Sequence, residues 1–123
     1  MSQMKNGDVI TLKATASISA YSIVKQDTTA YKVSMPNTIT TNLLGISQDL
    51  ATTNGAVAIC INGTSKVICG ESITAGDPIG AQTGGTGKAV VVATSTTARI
   101  GQALEAGSTN SVIEIVIQPR PVL

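Results

Sequence analysis

Histidine, phenylalanine and tryptophan are missing from this chain of 123 residues, and tyrosine occurs only as Tyr21 and Tyr31. Without His, a hydrolytic triad has no ordinary general base and would need an unusual one such as Lys. Cys60 and Cys69 are the only thiols. Two thiols and no imidazole cannot furnish an ordinary four-ligand zinc site. Each cysteine sits in an apolar run, "AICI" and "VICG", and is read as buried, reduced and structural. Two tyrosines are thin material for the stacking platforms of single-strand binders. Eight basic against seven acidic residues give no field to hold nucleic acid. No stretch approaches the roughly 20 apolar residues that span a bilayer, and "MSQMKNGDVI" lacks the apolar core of a signal peptide. The expectation is a protein made in the cytoplasm, with no cofactor, no metal, and neither nucleic acid nor membrane as partner.

What is present is Val, Ile, Leu and Ala, interleaved with Ser, Thr and Gly. That mixture favours strands and turns over helices. A chain of this length is expected to form one domain and to bury roughly two-thirds of its unfolded surface. Its organising feature is a stretch written twice. Residues 44–61, "LGISQDLATTNGAVAICI", match residues 100–117, "IGQALEAGSTNSVIEIVI", at a shift of 56. Gly45 falls on Gly101, Asn54 on Asn110, Ile59 on Ile115, and the acid Asp49 on the acid Glu105. Upstream, "ASISAYSIVKQ" matches "ESITAGDPIGAQ" at a shift of 55, and Lys32 falls on Lys88 at 56.

In chain order, residues 1–7 read as a flexible arm, 8–118 as one all-β domain, and 119–123 as an extended tail. The domain divides into similar halves at about 8–62 and 63–118. Strands are expected near 8–16, 30–35, 43–46, 56–61, 66–69 and 112–117. Asn62-Gly63, between two apolar runs, is the strongest short hairpin signal in the chain. Pro119 and Pro121 are expected to hold the tail out of the sheet. "TARIGQALEAG" allows about two helical turns, but its first copy is rich in strand and turn residues, so strand is preferred. Two short all-β halves, each too small to bury its apolar face alone, should share one core across a pseudo-twofold. A small barrel-like or β-clip-like domain with little or no helix is therefore expected.

The candidate chemical motifs are weak. "TGGTGK", residues 83–88, lacks phosphate-loop spacing: Gly84 and Gly87 are too close, and Ala89 stands where Ser or Thr belongs. It reads as a turn. Asp49 and Glu105 could meet across the pseudo-twofold as paired carboxylates, but the preferred role is accepting backbone N–H bonds at turns. Gly45, Asn62, Gly63, Gly76, Asp77 and Gly101 are likewise assigned to structural turns. Asn62-Gly63-Thr64 fits the glycosylation pattern and is read as a turn instead. Lys32 and Lys88 are taken as solvated strand-edge residues that discourage edge pairing. No catalytic residue is nominated, and the chain is expected not to be an enzyme.

The run "ITAGDPIG", a glycine loop, "GKAVVVA", "RIGQALEAG" and a terminal "VIEIVI" strand resembles the small head-decoration, or capsid cement, proteins of tailed bacteriophages. The resemblance covers residues 8–118 and rests on the order of the landmarks, since each alone is only small residues and glycines. The "ITAGDPI" turn also looks like that of β-clip domains. The resemblance implies a virion protein, made in the host cytoplasm, on the outer surface of the phage head. Its partners would be the major capsid protein and other copies of itself, as a homotrimer or, failing that, a dimer. The termini then become candidate capsid contacts: Ser2, Gln3, Met4 and Lys5 at one end, and Gln118, Pro119, Arg120 and Pro121 at the other. The alternatives are another phage structural role, as a head-fibre base or tail component, or a small β-clip module that binds sugars or sugar acids.

Overall fold

In the computed structural model, residues 8–36, 43–82, 86–92 and 98–120 are described. They form ten strands and no helix: β1 (Val9–Ala14), β2 (Ile23–Gln26), β3 (Lys32–Ser34), β4 (Leu43–Ser47), β5 (Ala56–Cys60), β6 (Gly63–Ile68), β7 (Pro78–Ala81), β8 (Ala89–Val91), β9 (Arg99–Ala103) and β10 (Val112–Arg120). The all-β expectation holds. The strands follow the period-2 pattern of the sequence. Ile113, Ile115 and Ile117 of β10 point inward while Glu114 and Val116 between them are partly exposed.

Strands β1 to β5 close into a barrel in the order β1-β3-β2-β4-β5, and β6 to β10 form a sheet in the order β6-β10-β9-β7-β8. The second order is the first, displaced by five strands, with one ladder thinned. In the barrel, β1 and β3 pair in parallel at Lys13↔Lys32 and Ala14↔Val33. In the second unit a single parallel bridge, Cys69↔Ala89, stands at that place. Bends agree as well. The left-handed positions Tyr21, Tyr31 and Asn54 in the first unit answer Gly76, Gly87 and Asn110 in the second. The bridge Ile18↔Ala51 answers Ile73↔Gly107.

The structure departs from the sequence expectations at four points. Asn62-Gly63 makes no hairpin: β5 pairs with β1 and β4, while β6 pairs with β10. Gly63, at φ 81°, carries the chain from one unit to the other. Gly45 and Gly101 lie within β4 and β9, not at turns. Two apolar clusters replace the single shared core. One, with Ala14, Ile18, Val24, Val33, Val57 and Ile59, belongs wholly to the barrel. The other fills the second unit and takes in Ile23, Ile46 and Cys60 from the first. Finally, β10 runs through Pro119 to pair Arg120 with Arg99. The ladder slips between Ile117 and Arg120, and at such an irregularity the missing proline N–H costs no regular bond.

Candidate interaction surface

Gly87, from the glycine run 83–88, packs into the joint between the two units. Gly87 is buried at φ 66°, and a Cβ there would stand 2.8 Å from Met35 Cε and 3.0 Å from Ser22 Cβ. Tyr31 takes the same bend at the matching place in the first unit, so what glycine alone supplies here is room for the barrel to come so close. The Gly87 carbonyl accepts the Ile23 N–H at 2.7 Å, and the Ile68 N–H donates to Tyr21 O at 3.2 Å. Gln48 Nε2 crosses the joint to Ser65 Oγ at 2.9 Å. Beside these bonds lies a shallow polar groove of about 220 Å³, lined by Tyr21, Gln48, Thr64, Ser65, Lys66 and Glu114. Lys66 and Glu114 stand opposite each other in the β6–β10 ladder. An open, mostly polar groove lacks the apolar walls that enclose a small molecule.

Three of the eight nominated turn residues, Asn62, Asp77 and Glu105, act as structural ties. Asp77 Oδ2 accepts the Thr74 N–H at 2.8 Å, closing the turn that carries Gly76 at φ 94°. Glu105 Oε2 accepts the Glu114 N–H at 2.9 Å, while Asp49 is exposed just after β4. Asn62 grips Asp8 twice: its Oδ1 accepts the Asp8 N–H at 2.9 Å, and its Nδ2 donates to Asp8 Oδ2 at 2.8 Å. At Asp27, the Thr29 backbone N–H holds the carboxyl below its ordinary range. Cys60 and Cys69 are free and buried, and burial pushes both thiols up.

Lys32 and Lys88 are only partly exposed, and each is tied down. Lys32 Nζ donates to Asn54 Oδ1 at 3.3 Å and Lys88 Nζ to Asn110 Oδ1 at 2.8 Å. Both asparagines sit in left-handed turns, so the lysines brace strained corners instead of guarding edges. The equal spacing of the two Lys-Asn pairs was a signal in the sequence that the edge-strand reading passed over.

Of the candidate partner contacts, Ser2, Gln3, Met4, Lys5 and Pro121 lie outside the described residues. Gln118 is exposed in β10, and Pro119 and Arg120 continue that strand.

No family model and no curated protein matches this chain. Among solved structures, it is similar to the N base of the head fiber gp8.5 of bacteriophage phi29. The match has a TM-score of 0.71 at 21% identity and covers 94% of this chain and 97% of that one. The two chains share a fold. At this identity the likeness carries the arrangement of strands and nothing about individual surface residues.

Proposed function

We propose that this chain is a structural protein of a bacteriophage head, binding the outer capsid surface and stabilising the shell without catalysing a reaction. The observation that carries the reading is the likeness to the phi29 head-fiber base over nearly the whole of both chains. The order of landmarks that resembles capsid cement proteins supports it independently. On this reading the major capsid protein is the partner, and residues 1–7 and 118–123 are the grips. The protein is a homotrimer, built from two copies per chain of one five-stranded unit. Three weak grips on one body bind far more tightly than one, by effective concentration.

Heads assembled with and without the protein provide the test. Cement predicts binding to expanded heads in preference to unexpanded ones, and a higher temperature of disruption. Equal heat resistance would sink the cementing role. A second reading, the base of a head fibre, is favoured by the same structural match; it predicts binding to heads with no gain in heat resistance. Absence of binding would remove both.

A further inference from the structure

The polar groove at the joint breaks the repeat. Its lining residues have counterparts in the other unit at the shifts of 55 and 56 that relate the halves. Gln48 answers Leu104, Thr64 answers Val9, Ser65 answers Ile10 and Glu114 answers Ala58. Lys66 answers the shorter Thr11, and Tyr21 answers Gly76. The strand scaffold therefore accepts apolar or small residues at these places, and the polar set belongs to the groove and not to the fold. Tyr21 is the sharpest case. Both units make the same left-handed bend here, at φ 59° in Tyr21 and 94° in Gly76. Glycine takes that bend freely, whereas an aromatic residue is strained by it. The Tyr21 N–H donates to Ser47 O at 2.8 Å, and Tyr21 O accepts the Ile68 N–H. Neither bond needs a side chain, so the ring is what the position gains over glycine.

The other groups form a matched set of donors and acceptors. Gln48 Nε2 donates to Ile46 O at 3.0 Å and to Ser65 Oγ at 2.9 Å. These bonds fix the amide, while its Oε1 accepts no hydrogen bond among the described residues. Lys66 and Glu114 stand opposite each other in the β6–β10 ladder yet form no ion pair among the described residues. An ammonium with three N–H groups and an acceptor carboxylate are thus both available. Together they give the groove no net charge, so it selects neither an anion nor a cation. What answers this set is a ligand whose hydroxyls both donate and accept, on a ring with an apolar face to lie against tyrosine. That is the chemistry of a neutral saccharide. A shallow groove of about 220 Å³ seats one sugar ring and lets a chain run out at its ends.

We propose that this groove binds a segment of a neutral glycan chain, with Tyr21 against the sugar face and Gln48, Lys66 and Glu114 holding its hydroxyls. The "ITAGDPI" turn that carries the β-clip likeness supplies no residue to the groove. The inference does not rest on attachment to a head. It is measured on the free protein, and its failure leaves head binding standing.

Titration of the isotope-labelled protein with maltoheptaose, chitohexaose and xylohexaose at millimolar concentrations, followed by amide chemical shifts, tests it. At least one of these chains should move the Thr64, Lys66 and Glu114 amides and leave those of Ile18 and Ala51, inside the barrel, unmoved. With that saccharide, Tyr21→Gly, which takes the residue of the other unit, should weaken binding about tenfold while thermal stability holds or rises. Glu114→Ala and Lys66→Thr, borrowed in the same way, should each weaken binding with unchanged far-UV circular dichroism, and they carry the test should Tyr21→Gly fail to fold. No shift with any of the chains, shifts confined to residues outside the groove, or folded variants that bind as tightly as the wild type would each overturn the proposal. Tighter binding of tetragalacturonic acid than of the neutral chains would overturn the neutral class.

Discussion

A Cβ added to Gly101 would collide with the backbone carbonyl of Val116, and one added to Gly45 with that of Cys60. Both glycines are buried inside strands, so what they supply is close approach and not a turn. Backbone on one side cannot swing away as a side-chain tip can. Gly45→Ala and Gly101→Ala should each lose about 1–3 kcal/mol through overpacking, measured by urea denaturation. Gly76 makes the informative comparison. Its φ of 94° strains any other residue, yet the nearest atom to an added Cβ is 4.0 Å away. Gly76→Ala should therefore cost only about 1 kcal/mol, as a purely conformational effect. A Gly101→Ala variant as stable as the wild type would remove the close-approach argument.

At the scale of elements, the sequence made single strands visible and hid their partners. "VIEIVI" and "AVAIC" announce strands through β-branched alternation, and Arg99–Ala103 proved strand over helix, as the first copy, rich in strand and turn residues, implied. Pairing is another matter. The Asn62-Gly63 turn looked local because a turn dipeptide records bending, not which strand receives the chain afterwards. Here β6 finds its partner in β10, the last strand, so the informative contact is among the most distant in the chain. The joint was illegible for a related reason. Gly87 is distinguished by what packs against it, and Ser22, Ile23 and Met35 carry no mark of that in sequence. Gly87→Ala should loosen this joint first. In native-state hydrogen exchange the Ile23 and Ile68 amides, which bond across it, should lose protection. The Ile18 and Ala51 amides, which bond each other inside the barrel, should keep theirs. Uniform loss at all four would mean that the joint has no separate stability.

Across the whole molecule, two units with the same strand order raise the question of whether they melt as one body. The barrel has an apolar cluster to itself. The second cluster, however, closes only with Ile23, Ile46 and Cys60 supplied by the barrel. Opening the second unit alone would leave these three side chains facing water. At roughly 2 kcal/mol for each large apolar side chain exposed, the cost approaches the whole stability of a small domain. The coupling therefore favours a single transition. Tyrosine placement makes this directly observable, since Tyr21 and Tyr31 both lie in the first unit and no other aromatic residue exists. In a Tyr21→Phe variant, which removes the tyrosine at the joint and leaves Tyr31 alone, tyrosine fluorescence reports only the barrel, whereas far-UV circular dichroism reports all ten strands. In urea the two signals should trace one coincident curve. A dichroism change that precedes the fluorescence change would mean that the second unit unfolds from a barrel that persists, and that the three shared side chains do not bind the halves into one cooperative body.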